Sequence, residues 1–285
     1  MGKSPVKDRP SPAGGKSADS AKHIKARAAD SGSTDYVEPR MVLVPAAERT
    51  LRIFEAFERS AQPLTLSRLA EEIDVPISSC HNLVRTLAGR GYLFSLETNR
   101  TFYPTRKLWE VSKNIIEHDP ILQRIQGKVE TLRDVTTETV IVGKRQDQIA
   151  IYLLVLEGLH TIRYVAHPGR TIPLHTSAIG KALLSTLDEE QLERWLKSSK
   201  LEKVTERSIS DRTELRKDIR IGKGRGYFET AGENVDDVGA LAMPIRIGGE
   251  TLSIAVAGPV ARMEANRSTL IDSMTTVLKD MQTSL

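Results

Sequence analysis

Polar residues with short or forked side chains gather on one side of the segment PISSCHNLVRTL, residues 76–87. They are Ser78, Ser79, His81, Asn82 and Arg85. Such side chains reach base edges in the DNA major groove, where asparagine pairs with adenine, arginine with guanine and serine with either base. The other side is apolar and carries, at helical spacing, Ile77, Cys80, Leu83, Val84 and Leu87. The segment is therefore predicted to be a helix with one buried stripe and one face that reads DNA.

The flanking sequence predicts the elements that position this helix. Pro45 opens a helix with an apolar stripe of Leu51, Ile53, Phe54 and Phe57. Thr65 is the predicted N-cap of a second, short helix. After Gly91 the apolar period changes to two in YLFSLETNRTFYP, which predicts a hairpin with its tip at residues 97–100. Helix, helix, turn, helix and hairpin is the order of a winged helix-turn-helix, here predicted for residues 43–105.

Basic and acidic residues lie in different parts of this predicted domain. Basic residues run from the third helix into the hairpin and beyond, namely Arg85, Arg90, Arg100, Arg106 and Lys107, whereas the two preceding helices carry Glu55, Glu58, Glu71 and Glu72. A basic face suits DNA phosphates. The expected DNA-contacting residues are Thr65, Ser67, Ser78, Ser79, His81, Asn82, Arg85, Asn99, Arg100 and Tyr103. The alternative interpretation is a three-helix module that contacts protein.

Composition limits the class of protein. The chain has 285 residues, 39% of them hydrophobic and 27% charged, with a net charge of +4 and a pI near 9.1. These values are typical of a globular protein and permit a polyanionic partner. A single cysteine excludes an internal disulfide. The longest apolar run, IAIYLLVL, is too short to cross a membrane. We expect a cytoplasmic, nucleoid-associated protein with no membrane contact.

The two segments that flank the predicted DNA-binding domain have different compositions. Residues 1–42 are rich in Ser, Ala, Gly, Pro and Lys, and are predicted to be a disordered tail that either improves solubility or reaches along DNA phosphates. Residues 106–134 have helical spacing, and Pro120 is expected to break or kink the helix. This second segment is interpreted as a linker that dimerises, or alternatively as ordinary domain packing.

The remaining residues, 135–285, mix strand and helix patterns. ETVIVGKRQDQIAIYLLVLEG predicts two strands, TIRYVAHPG a third, and GALAMPIRIGGETLSIAVAGP a hairpin that turns at Gly248 and Gly249. Helices are predicted to open near Thr176 or Ser177, at Glu189 and at Thr213, and a last one is predicted from Ala261. The pattern indicates an α+β domain with an antiparallel sheet.

Enzyme chemistry has no support in the sequence. A phosphate-binding loop ending in Gly180-Lys181 needs a glycine where His175 stands. GKGRG at 222–226 is expected to terminate a helix. His160, His167 and His175 lack the spacing of metal ligands. No catalytic residue, metal or cofactor is therefore predicted.

Three segments together resemble the IclR family of bacterial transcription regulators. They are VPISSCHNLVRTLAGRGYL, IPLHTSAIGKALLS, and GALAMPI with IAVAGP, in this order. The resemblance runs from about Pro45 to near the C-terminus. It implies a winged helix-turn-helix, a linker helix and a GAF-like effector domain, in dimers that pair into tetramers. Three positions depart from the family pattern, because relatives commonly carry arginine at Asn82 and several carry hydroxyl residues at Ala255 and Ala257.

The helix that opens at residue 176 or 177 also suggests an effector site. Its first backbone N–H groups and its dipole suit a carboxylate. Gly180 is expected to let a ligand or a strand approach the helix closely, and Lys181 is expected to add positive charge. The alternative is that Ala178, Gly180 and Ala182 only allow this helix to pack tightly. Glu233 and Asp237 either bind ligand hydroxyls or are solvated.

The predicted ligand is a small organic acid with an apolar body, and aromatic acids are among the candidates. The expected effector-binding residues are His175, Ala178, Ile179, Gly180, Lys181, Glu233, Ala240, Met243, Ala255 and Ala257. Such a ligand is expected to change the separation of two recognition helices in a homodimer or tetramer through the linker. The predicted function is allosteric control of a catabolic operon, with repression favoured over activation.

Overall fold

The computed structural model describes residues 44–97 and 100–283, without the side chains of residues 282 and 283. The predicted tail, residues 1–42, and the predicted DNA contact Asn99 lie outside this part of the chain. We use the name head for residues 45–104 and the name body for residues 122–283. Within the described residues, no helix is both long enough and apolar enough to cross a membrane.

The head is a winged helix-turn-helix, as predicted. Its elements are α1 (Pro45–Ser60), β1 (Leu64–Thr65), α2 (Leu66–Glu72), α3 (Ile77–Gly89), β2 (Leu93–Leu96) and β3 (Thr101–Pro104), and the strand order is β1-β3-β2. The Thr65 hydroxyl caps α2 by accepting a hydrogen bond from the backbone N–H of Arg68 at 3.2 Å. Asp74 takes a left-handed conformation with φ of 53°, which makes the turn into α3.

The three helices bury a small apolar core. Ile53, Leu69 and Cys80 are fully buried in it. Two residues that the spacing assigned to this core are exposed instead: Leu51 is 63% exposed and Ile77 is 54% exposed. Leu51 precedes Ile53 by two positions, which places it roughly 200° away around α1. Ile77 lies in the first turn of α3, at the outer edge of the stripe.

Two helices follow the head, and only the second is buried. They are α4 (Lys107–Glu117) and α5 (Leu122–Thr136), and the helical conformation is interrupted between them beside Pro120, as predicted. Asp119 accepts hydrogen bonds from the backbone N–H groups of Ile121 and Leu122 and so starts α5. Helix α4 buries none of its residues, whereas α5 places Ile125 in the core of the body.

The body is an α+β domain around one antiparallel sheet, as predicted. Its strands are β4 (Thr139–Gln146), β5 (Ile149–Leu156), β6 (Thr171–Pro173), β7 (Phe228–Ala231), β8 (Val238–Ile247) and β9 (Glu250–Pro259), in the order β6-β5-β4-β9-β8-β7. Its further helices are α6 (Ala178–Leu184), α7 (Glu189–Ser198), α8 (Arg212–Arg225), α9 (Val260–Ala265) and α10 (Arg267–Thr283).

Alternation along the strands separates two apolar layers. On β8, Leu241 and Met243 join the layer that α5 and α10 cover, whereas Ala242 joins the layer that α6, α7 and α8 cover. Helix α6 packs closely against Leu174, the residue after β6, because Gly180 has no side chain. A Cβ atom there would lie 2.2 Å from the backbone oxygen of Leu174.

Two predictions for the body are wrong in detail. TIRYVAHPG forms no strand, because its Tyr164 carbonyl accepts a hydrogen bond from the Thr139 hydroxyl at 2.5 Å instead of joining a ladder, and the edge of β5 pairs with β6. The last helix is two helices, since the chain turns at Asn266 between α9 and α10.

Candidate functional site

One face of α3 is covered by no other part of the head. Ser78, His81, Asn82 and Arg85 are exposed, and Ser79 is half-buried. Among the residues that the structure describes, no hydrogen bond or ion pair joins the side chains of Asn82 or Arg85 to the rest of the chain. These side chains are therefore available to an external partner. Their types and their position on the second helix of a helix-turn-helix suit contact with bases in the major groove.

The other predicted DNA contacts differ in their exposure and in the contacts that they make within the head. Ser67 is exposed in the first turn of α2, and Arg100 is exposed at the tip of the β2–β3 hairpin with φ of 49°. Thr65 is exposed but uses its hydroxyl as the cap of α2. Tyr103 is half-buried and packs its ring edge-to-face with Phe57, at 5.9 Å between centroids. Tyr103 therefore helps to hold the hairpin against α1.

Two glutamates of α2 form ion pairs with arginines of α1 and α2 rather than with α3. Glu72 pairs with Arg59 at 3.1 Å and with Arg68 at 2.6 Å, and Glu71 pairs with Arg68 at 3.1 Å. Lys107 is also engaged, because its ammonium donates to the Arg90 carbonyl at 2.8 Å. Arg85 lies on α3, the recognition helix, and Arg100 lies in the β2–β3 hairpin, the wing. Both are exposed cations that can bind phosphates.

The body contains a cavity between the sheet and the start of α6. Its walls come from several separate parts of the chain. They are Ile141, Tyr152, Tyr164, Ile172, Ser177, Ala178, Ile179, Thr230, Asn234, Val235, Val238, Ala240, Ala255 and Ala257. The lining is therefore mostly apolar, with hydroxyl and amide groups and no charged side chain.

Two tyrosines, Tyr152 and Tyr164, are among the residues that line this cavity. Burial raises the pKa of Tyr152 well above its ordinary value, and the neighbouring Tyr164, which shares a hydrogen bond with it, raises the pKa further. The Arg170 guanidinium opposes this shift and lies 6.0 Å from the centre of the Tyr164 ring. Tyr152 is thus a neutral hydroxyl over the whole physiological pH range.

The cavity is narrow. The centre of a water-sized sphere can occupy only about 30 Å³ of it. Pockets that bind drug-sized ligands commonly enclose about 300 to 1,000 Å³. A ligand of that size therefore requires the walls to move apart.

Half of the predicted effector residues line the cavity: Ala178, Ile179, Ala240, Ala255 and Ala257. The other half do not. Met243 lies on the opposite face of the sheet, because it follows Ala240 by an odd number of residues. Gly180 packs against the backbone of Leu174. His175 is buried and hydrogen-bonds through Nε2 to the Glu202 carbonyl at 2.8 Å.

Lys181 and Glu233 contact each other instead of the cavity. The Lys181 ammonium, whose side chain is 1% exposed, lies 2.8 Å from each Glu233 oxygen and 2.7 Å from Asp218. Burial raises the pKa of Glu233, and Lys181 opposes that shift. Asp237, the other acidic candidate, is exposed. The lysine charge is therefore satisfied internally and is not offered to a ligand.

This ion pair holds the loop that closes the cavity. Glu233 directly precedes Asn234 and Val235, both of which line the cavity. The same loop is anchored by the Ser208 hydroxyl, which donates to the Glu233 carbonyl at 2.7 Å, and by the Thr205 hydroxyl, which donates to the Gly232 carbonyl at 2.7 Å. Lys181 and Glu233 therefore act on the cavity through the position of this loop.

Comparison with known proteins decides the family. Residues 113–284 match the family described as Bacterial transcriptional regulator IclR C-terminal, and residues 46–95 match the IclR helix-turn-helix domain. The chain belongs to the IclR family. It is therefore a DNA-binding transcriptional regulator and not an enzyme, and this confirms the winged helix-turn-helix as a DNA-binding head rather than a protein-contact module.

Curated relatives and solved structures agree with this assignment. The regulator BhcR of Paracoccus denitrificans is 30% identical over 84% of this chain and 86% of its own length. The repressor AllR of Escherichia coli K12 is 26% identical over 78% of this chain and 83% of its own length. The IclR of Thermotoga maritima has a TM-score of 0.71 at 20% identity, covering 84% of this chain and 98% of that one, and so shares the fold.

A further solved structure carries a small acid. An IclR homologue from Microbacterium hydrocarbonoxydans, complexed with 4-hydroxybenzoate, has a TM-score of 0.64 at 19% identity and covers 84% of this chain and 99% of that one. This similarity shows a common fold between the two proteins.

The cavity of this IclR regulator includes residues that sequence reasoning missed. They are Ile141, Tyr152, Tyr164, Ile172, Ser177, Thr230, Asn234, Val235 and Val238. The two-residue period of a strand could have identified Val238, because it precedes Ala240 by two positions and so lies on the same face of β8. Tyr164 had no such signal, because it lies in an irregular segment.

Proposed function

We propose that this regulator is a repressor of a catabolic operon, released or tightened on its DNA by a small organic acid that binds in the cavity of the body. The cavity lining is the observation that carries the proposal. The Asn234 amide and the hydroxyls of the two tyrosines can donate hydrogen bonds to a carboxylate, whereas the Ser177 hydroxyl already donates to the Pro173 carbonyl at 2.9 Å. An aromatic ring suits the apolar remainder of the lining. The relative named a repressor and the homologue complexed with 4-hydroxybenzoate support the same sign and ligand class.

Ligand binding is expected to move the cavity walls. The free space of about 30 Å³ is too small for a benzoate-sized molecule. The ligand therefore selects a wider arrangement of the loop at residues 232–237 or of the segment at residues 157–170. Such a difference between two states is what couples an effector site to DNA affinity, with a typical coupling of about 1 to 3 kcal/mol.

We propose that the active assembly is a homodimer, or a pair of such dimers. Within each dimer, the two subunits are proposed to contact each other through α4. This helix exposes an apolar set between the head and the body, namely Trp109, Val111, Ile115 and Ile116. Exposed apolar patches of this kind commonly mark contacts between proteins. Two heads joined in this way bind two half-sites whose spacing follows the dimer geometry.

The test uses the full chain, the DNA upstream of its own gene and a panel of acids that includes benzoate and 4-hydroxybenzoate. An acid in the panel is expected to bind the protein and to shift its affinity for this DNA by roughly 5- to 150-fold. Ala257→Leu, which fills the cavity, is expected to abolish that shift. Ala261→Leu places the same side chain at an exposed position of α9 and is expected to leave the shift intact.

Tyr152→Phe provides a second test that preserves packing. It removes one hydroxyl from the cavity and is expected to weaken binding of the acid without changing DNA affinity in its absence. An acid effect that survives both Ala257→Leu and Tyr152→Phe would place the effector elsewhere.

A further inference from the structure

Ile77 is exposed where a core residue was expected. It is the first residue of α3 and has 54% of its surface exposed, whereas Cys80 and Val84 on the same helix are 0% and 1% exposed. Its side chain therefore contributes little to the core of the head. An aliphatic side chain in the first turn of the helix that is predicted to read DNA is therefore available to a partner outside the chain.

The position of Ile77 points to the major groove. In helix-turn-helix proteins, the N-terminal residues of the recognition helix contact base edges. Ile77 lies one turn before His81, and the row continues to Arg85, both of which are exposed on the face with Asn82. Ile77 thus begins one edge of the polar surface that offers hydrogen bonds to bases.

Only one group in the major groove suits an aliphatic side chain. The base edges there present hydrogen-bond donors and acceptors, except for the C5-methyl group of thymine. We propose that Ile77 contacts a thymine C5-methyl group in each half-site and so determines specificity at that base pair. This inference rests on α3 being the helix that enters the groove, and it adds an apolar contact to the polar ones of Asn82 and Arg85.

The experiment begins with an operator selected by the full-length protein from random-sequence duplexes. Each thymine is then replaced, one at a time, by deoxyuridine, which pairs with adenine in the same way but lacks the C5-methyl group. The wild-type protein is expected to lose about fourfold in affinity at one thymine of each half-site, as for one apolar carbon left in water. At that position, Ile77→Ala is expected to bind thymine and deoxyuridine equally.

Two controls separate this contact from general damage. Leu51→Ala shortens another exposed aliphatic residue of the head, 63% exposed on α1, and is expected to keep the thymine preference. Ile77→Val retains the branched carbon and is expected to keep it as well. Because Ile77 is exposed, its variants are expected to unfold at temperatures close to that of the wild type, as measured by circular dichroism.

Either of two results would overturn the inference. The first is a wild-type protein that tolerates deoxyuridine at every position, and the second is an Ile77→Ala protein with the same deoxyuridine losses as the wild type. Failure of DNA reading by α3 as a whole is distinguishable, because Asn82→Ala would then have no effect on sequence preference.

Discussion

The head leaves the side chains that are predicted to read DNA in water, whereas the body buries Lys181 and Tyr152. Asn82 and Arg85 are exposed on α3. In the body, Lys181 is 1% exposed between two carboxylates, and Tyr152 is buried against Tyr164. A buried polar group must keep its partner, because losing that partner costs its full desolvation. We therefore expect that DNA recognition can be altered in the head without unfolding it, whereas in the body stability and the proposed ligand response depend on the same contacts.

Removing one positive charge from each region should show the largest difference. Lys181→Met leaves Glu233 and Asp218 without their shared cation and is expected to lower the free energy of unfolding by about 3 to 5 kcal/mol. Arg85→Met removes a charge from the exposed face of α3 and is expected to change it by less than about 0.5 kcal/mol. Urea denaturation of both variants provides the measurement. Equal losses would show that the two regions do not differ as described.

The next largest effect is expected on DNA binding. Asn82→Ala should weaken binding to the selected operator by about 1 to 3 kcal/mol, because the pairing of its amide with a base is lost. Binding to random DNA and the free energy of unfolding should stay nearly unchanged. Fluorescence anisotropy on both duplexes measures the two affinities, and an equal loss on both would remove Asn82 from the residues that read bases.

A smaller effect on DNA affinity, together with a change in its salt dependence, is expected from a substitution in the β2–β3 hairpin. Arg100→Ala should weaken binding to operator and random DNA alike and should reduce the slope of log affinity against log salt by about 1, since one phosphate contact is lost. Arg100→Lys keeps the charge at the same left-handed position and should keep the slope. If the slope of Arg100→Ala equals that of the wild type, Arg100 does not contact a phosphate.

The smallest effect is a pH dependence of the body. Burial lowers the pKa of His175 below its ordinary value of 6.5, so the unfolded chain takes up a proton more readily than the folded one. The free energy of unfolding should therefore decrease as the pH falls from 6.5 toward the lower pKa of the folded state. His175→Gln keeps an N–H donor for the Glu202 carbonyl and should reduce this loss. Thermal melts above and below this range test it, and an identical pH dependence in both proteins would contradict it.

Prediction from the sequence succeeded best where structure depends on neighbouring residues. The cap at Thr65, the break at Pro120 and the turn at Gly248 and Gly249 are local signals, and all were placed correctly. The exposure of Ile77 was not predicted, because the helical period alone does not show where the packing partner of a helix ends. Met243 was placed on the wrong face, although counting in steps of two along β8 separates it from Ala240.

The sequence by itself indicated the family through the resemblance of three motif segments. It also determined the winged helix-turn-helix and the face of α3 that meets solvent, because helical periodicity and turn residues act over a few positions. Only the tertiary structure decided the composition of the cavity. Its walls join β4, β5 and the irregular segment around Tyr164 to the loop that carries Asn234. Lys181 likewise finds Glu233 at a distance of 52 residues along the chain. Contacts of this range depend on how the sheet and its helices pack, and no local pattern encodes them.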